Sequence, residues 1–310
     1  MDSLAGYTSD DDPDTQTTQV QSLPAFDNFV TYSENYAMKT KNLRSAFVCL
    51  PWKVRLEQRE LIRLCYKRVL DRLFKEIPSL RTRYSFHCSI QSKQDIYGRY
   101  GMSQKSAMNS PHITLLPNLH GDQNDFQRLD HSLRKAVKAA EPAPTQLVQK
   151  LGGPLGDMLN RKEEIVSLRI DKNIMAFMSS KTGNFFIALN VIGPTQQMEL
   201  AEKTYLRGLM RMVYEQVKPL GLKCQWEKFL GGAPSYNDDG LPEVNYHCLF
   251  LIGEAKSFEE RLSRTQFDRV KKQVREVDIG DLVGDMKIEF DSLYLGSNTR
   301  VKNVYSLFKK

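Results

Sequence analysis

The sequence predicts an α+β protein of two lobes related by a pseudo-twofold, with antiparallel sheets, helices on the outside and a central cleft. Three observations carry that expectation. The order strand, helix, strand, helix runs twice along the chain. Apolar runs of strand length alternate with segments whose apolar residues recur every three or four positions. A stretch rich in glycine and proline, residues 141–163, separates the two runs and reads as a linker.

The first run opens with the apolar strand Ser45-Ala-Phe-Val-Cys-Leu50, closed by Pro51. A helix follows from about Leu56 to Ile77, with Leu61, Leu64, Cys65, Val69, Leu73 and Phe74 on one face. Tyr84 to Ile90 alternates like a strand, and the polar residues 91–109 read as a loop. A strand at Ile113 to Leu116 and a helix from about Asn124 to Ala139 complete this half. In the second half, Phe185 to Ile192 is an apolar strand stopped by Gly193 and Pro194. A helix from about Gln196 to Val217, a loop at 230–243, a strand at Tyr246 to Ile252 and a helix from about Ser257 to Val277 follow. Each half also carries a pair of strands, Ile165–Arg169 with Ile174–Met178 and Lys287–Leu295 with Val301–Phe308. The first pair leads into the strand that opens the second half, as expected of lobes that exchange strands. The expected units are a disordered acidic leader, 1–43, and a domain at 44–310, its lobes about 44–163 and 164–310.

Composition excludes several classes of function. No apolar run approaches the ~20 residues a membrane span needs. The five cysteines are scattered with no CxxC pair, which suits a reducing compartment and argues against a disulfide framework or a zinc site. Charge is unevenly spread. Residues 1–38 hold seven acids and no lysine or arginine, while the whole chain is +7, which leaves +14 on the remainder. A basic body attracts phosphates, so nucleic acid is the expected partner class.

Only five histidines are present, and two of them hold equivalent places in the repeat. Phe47 precedes His112 by 65 residues, and Phe185 precedes His247 by 62. Each histidine opens a strand that is followed by a helix. In Pro111-His112-Ile113-Thr114, period-2 geometry turns His112 and Thr114 to one face. An imidazole moves protons near neutral pH, and a hydroxyl beside it donates to a phosphate oxygen. His87, in Phe86-His87-Cys88-Ser89, also has the form His-x-hydroxyl, but it breaks the repeat spacing and no helix follows at the expected distance. His120 and His131 read as solvent-facing residues of a polar loop and a helix.

At this point the sequence resembles the two-histidine phosphoesterases. His112-Ile-Thr-Leu and His247-Cys-Leu-Phe look like the two motifs of that superfamily, and the match is closest to the U6 small nuclear RNA phosphodiesterases. Leu4-Ala-Gly-Tyr-Thr-Ser-Asp-Asp-Asp resembles their short leader, and Arg44-Ser-Ala-Phe-Val-Cys-Leu-Pro-Trp52 their first strand. Gly221-Leu-Lys-Cys-Gln-Trp226 resembles the segment that carries a base-stacking aromatic, and Lys302-Asn-Val-Tyr-Ser-Leu-Phe-Lys their terminal strand. The family repeats His-x-Ser or His-x-Thr in both halves, whereas Leu249 stands at the second hydroxyl position here. Ser235, Tyr236 or Tyr246 would have to supply any replacement.

The resemblance implies a metal-independent 3′-to-5′ exonuclease, active in the nucleus as a monomer, that trims the uridine tail of U6 RNA without a cofactor. His112 and His247 would be catalytic, with His247 the base and His112 the acid. Residue chemistry alone leaves that assignment open. Thr114 would bind phosphate, and Trp226, flanked by Lys223 and Lys228, and Tyr246 would stack bases. Two other readings stand beside it: an RNA-binding module of the same fold that has lost turnover, with Leu249 as its support, and a 2′,3′-cyclic phosphodiesterase or ligase acting on other RNA ends.

Overall fold

A computed structural model describes residues 44–90, 111–151, 163–179, 182–191, 199–224, 241, 246–297 and 302–308. The acidic leader, the 91–109 loop and most of the 230–243 loop lie outside them.

The first half supplies β1 (Arg44–Pro51), α1 (Leu56–Glu76), the short α2 (Leu80–Arg83), β2 (Tyr84–Cys88), β3 (His112–Gly121) and α3 (Gln123–Ala139). The stretch read as a linker holds a strand of its own, β4 (Val148–Leu151). Next come β5 (Glu163–Arg169), β6 (Ile174–Met178), β7 (Phe185–Asn190), α4 (Glu199–Val217), β8 (Lys223–Cys224) and β9 (His247–Ala255). The chain closes with α5 (Arg264–Arg275), α6 (Gly280–Val283), β10 (Lys287–Phe290), β11 (Ser292–Ser297) and β12 (Lys302–Ser306).

Among the described residues, nine strands form one antiparallel sheet in the order β12-β11-β1-β3-β9-β7-β6, with β2 beside β9 and β8 beside β3. Strands cross between the halves of the sequence. β11 and β12, from the C-terminal end, extend β1, while β2 pairs with β9 and β8 pairs with β3. A separate three-stranded sheet runs β10-β5-β4.

Three sequence expectations are corrected by this topology. Ile165–Arg169 and Ile174–Met178 are strands but do not pair with each other: β5 joins β10 and β4, and β6 joins β7. The expected strand Lys287–Leu295 breaks at Asp291 into two strands of different sheets. The last long helix begins at Arg264, not near Ser257, because Ser263 caps it. The Ser263 hydroxyl accepts from the Gln266 N–H at 3.3 Å, and the Gln266 side chain accepts from the Ser263 N–H at 3.0 Å. Such a reciprocal cap satisfies two backbone donors that would otherwise have no intrahelical partner.

One face of the large sheet carries the core. Ile62, Cys65, Val69 and Leu73 of α1 and Phe267, Val270 and Val274 of α5 pack with Ile113 and Leu115 of β3 and Cys248 and Phe250 of β9. Leu64, expected on the buried face of α1, is half exposed, and Ile62 takes its place. A buried carboxylate ties α1 to the small sheet. Glu289 is 3% exposed and accepts from Arg55 through both oxygens, one of them from Nε at 2.8 Å. Burying that charge is tolerable only because it is paired.

Candidate active site at the seam of the two halves

β3 and β9 touch at one residue pair, Ile113 with Cys248. On either side they part, since β8 takes up β3 at Leu119 and β2 takes up β9 at Leu251. Ile113 and Cys248 are fully buried in the core cluster, so the residues flanking them turn to the opposite face. Were the antiparallel register continued by one residue each way, His112 would stand opposite Leu249 and Thr114 opposite His247. His112 and His247 would then be diagonal neighbours, a relation that in a regular ladder separates side chains by about 7–8 Å. The contact is close at the backbone as well. The Cys248 thiol, pushed far up by burial, receives a hydrogen bond from the His112 backbone.

The same hydrogen-bond frame holds both histidines. Pro51 pairs with His112, and the next N–H, that of Trp52, donates to the carbonyl of Pro111 at 2.8 Å. Asn190 pairs with His247, and the next N–H, that of Val191, donates to the carbonyl of Tyr246 at 2.9 Å. Cys49 pairs with Thr114 as Ala188 pairs with Leu249. This correspondence makes Phe186, one residue beyond the Phe185 used for the sequence count, the structural counterpart of Phe47.

Ring contacts complete the surroundings. Phe47 stacks on His112, with centroids 6.0 Å apart and planes 28° apart. Phe177 lies against His247 at 4.8 Å and 32°. In the sequence Phe47 served only as a landmark of the repeat, and Phe177 looked like an ordinary strand residue. His247 is buried at 8% exposure, and His112, Thr114 and Leu249 are half-buried.

Tyr246 is corrected: it is 6% exposed and sits in the core cluster, with its hydroxyl 3.8 Å from the Met210 sulfur. Burial pushes its phenol far up. Alternation is the reason, because the residue next to a cleft-facing histidine on a strand must face the core. Trp226, Lys228, Ser235 and Tyr236 lie outside the described residues, and Lys223 is placed only by its strand. His87 lies on β2 opposite Ile252 of β9, five residues along β9 from His247, with Nε2 3.5 Å from the Glu254 carboxylate. His120 is corrected as well: it belongs to β3, paired with Lys223, and burial lowers its pKa. His131 is exposed on α3, as expected.

Chemically, the arrangement offers two imidazoles from distant parts of the chain on one sheet face, with the Thr114 hydroxyl on the same strand as His112. Among the described residues no group of three histidine, cysteine, aspartate or glutamate side chains is placed to hold a metal. No described helix is long and apolar enough to cross a membrane.

The class of protein so defined is a two-lobed α+β fold, helices against one face of a mostly antiparallel sheet, with paired histidines at the seam. Among its solved structural neighbours are structures of Usb1 from Kluyveromyces marxianus. One such structure has 14% identity and a TM-score of 0.53, covering 86% of this chain and 98% of that one. Another, of Usb1 with uridine monophosphate, has 12% identity and a TM-score of 0.54, covering 86% and 99%. At these identities the likeness establishes a shared fold. No family model matches the chain, and no curated protein matches it in sequence.

Proposed function

We propose that this chain is an RNA phosphodiesterase that removes nucleotides from a uridine-rich 3′ end, using His112 and His247 as a proton-transfer couple. The observation that carries the proposal is that His112 and His247 each directly precede a member of the Ile113–Cys248 pair, through which β3 and β9 join. The sequence resemblance to the U6 small nuclear RNA phosphodiesterases supports it independently, as does a fold shared with a protein solved with uridine monophosphate.

The chemistry follows from the groups present. A neutral imidazole takes the proton of the 2′-hydroxyl beside the terminal phosphodiester. The 2′-oxygen bonds to phosphorus, and the bond to the 5′-oxygen of the last nucleotide breaks. That oxygen leaves with the proton of the second, protonated imidazole. The RNA keeps a 2′,3′-cyclic phosphate, and opening it with water returns both histidines to their starting states. By the resemblance, His247 is the base and His112 the acid. Thr114, two residues along β3 from His112, donates to a non-bridging oxygen. Trp226 is the candidate to stack the terminal base, worth about 1–3 kcal/mol. The U6 RNA end as natural substrate, action in the nucleus and a monomeric state follow from the resemblance.

A uridine-tailed oligonucleotide incubated with the protein in EDTA tests the proposal. Stepwise shortening is expected. Binding without shortening would favour the RNA-binding reading that Leu249 supports. A 2′-deoxy residue at the penultimate position should stop the reaction, and continued cleavage there would refute attack by the 2′-hydroxyl.

A further inference from the structure

The rings beside the two histidines come from inequivalent strands. In the first half Phe47, on β1, reaches His112, and its partner on the outer strand is Gly296 of β11. In the second half the counterpart of Phe47 is Phe186 of β7, fully buried, and the outer-strand partner Phe177 of β6 reaches His247 instead. Gly296 matters because of what it lacks. A Cβ there would fall on the far edge of the Phe47 ring, inside contact distance. Phe47 is 7% exposed but is not part of the core cluster, so its ring belongs to the cleft face and not to the packing between sheet and helices.

We infer that Phe47, seated over Gly296, is a positioning residue that fixes the orientation of the His112 imidazole. A ring stacked on an imidazole restricts rotation about its side-chain bonds, and proton transfer is steep in geometry: a misplacement of about 1 Å can cost 10²-fold in rate. Gly296 stands 184 positions from His112 along the chain, and its part in the site is to leave room for that ring. The kinetic side of this inference rests on the phosphodiesterase reading, whereas its structural side does not.

The test therefore uses two readouts. Phe47→Leu and Phe47→Met both remove the ring while keeping most of its volume, and the second serves if the first fails to fold. Each should lower kcat about 10- to 100-fold with KM changed less than about twofold, and should shift the limb of the pH–rate profile that belongs to His112. Gly296→Ala should lower kcat in the wild-type background but add nothing once Phe47 is leucine. In parallel, the His112 imidazole Cε1–H resonance should move downfield in Phe47→Leu as the ring current is lost, with that of His247 unmoved. Unchanged kcat, pH profile and resonance in both ringless variants would overturn the inference, as would losses from Gly296→Ala and Phe47→Leu that multiply. A wild-type protein that cleaves no RNA but whose His112 resonance moves in Phe47→Leu would sink the functional reading and leave the positioning intact.

Discussion

The two sides of the seam share a backbone and differ in their side chains. His112 has Pro51 beside it on β1 and the Phe47 ring against it. His247 has Asn190 beside it on β7 and the Phe177 ring against it. The Asn190 amide in turn donates to Asp171 at 3.4 Å. Pairing register and the carbonyl hydrogen bonds just before each histidine are the same on both sides, because they hold a strand start in place whatever the side chains. The neighbouring side chains are not repeated. The first-half histidine has a proline paired to it and a ring from the adjacent strand, and the second-half histidine has an asparagine paired to it and a ring from the outer strand. A twofold frame is thus shared while the side chains on it are one-sided.

That one-sidedness can be broken by moving the hydroxyl. Thr114→Val removes it at constant shape and should lower kcat by about 10²-fold, measured on the uridine-tailed oligonucleotide. A loss below twofold would mean that Thr114 does not touch the reacting phosphate. Leu249→Ser installs the missing counterpart and should raise kcat by about tenfold, less than a native donor contributes because the new group is not preorganised. An unchanged rate there would show that the second half of the cleft has been shaped for an apolar contact.

Two glycines sharpen the comparison of faces. Gly253 lies opposite Phe185 on the core face, and an added Cβ would come within 2.6 Å of that ring. Gly296 lies opposite Phe47 on the cleft face. Gly253→Ala should therefore cost about 1–3 kcal/mol of stability through overpacking, whereas Gly296→Ala should act mainly on the rate. Denaturant titration of both variants checks this, and equal stability losses would erase the distinction between the faces.

A smaller effect distinguishes His120 from the pair at the seam. Burial lowers its pKa below the ordinary 6.5, so the fold favours its neutral form. Its contribution is fully present above pH 6.5 and is lost as pH falls from there through its lower folded value, where the unfolded chain binds the proton first. His120→Gln should flatten that part of the stability curve, as followed by denaturant midpoints between pH 7 and 5 in steps of roughly half a unit. A wild-type slope kept in the variant would place the proton uptake elsewhere.

Much of this was legible in the sequence because it depends on local pattern. The 3.6-residue spacing located α1, α3 and α4, and the repeat of strand and helix singled out His112 and His247 among five histidines. Period-2 alternation put Thr114 on the face of His112; the same alternation applied to Tyr246 would have turned it to the core, where the structure has it, and not to a base. What local pattern does not contain is partner choice. Nothing in Ile165–Arg169 says that it pairs with Lys287–Phe290 and not with the nearer Ile174–Met178, since all three are apolar runs of strand length. The break at Asp291 and the delayed start of α5 depend on a sheet change and on a cap. Phe47 and Phe177 were invisible as site residues because only the pairing order brings their rings to the histidines.

The central claim is that two imidazoles from separate halves of the chain act as one proton-transfer couple. The most direct measurement is single-turnover cleavage by His112→Ala, His247→Ala and the double variant. Each single variant should lose about 10²–10⁴-fold, and the double should lose scarcely more than the worse single, because a couple missing either member is already disabled. Single losses that multiply in the double variant, or either single variant cleaving at the wild-type rate, would contradict the account.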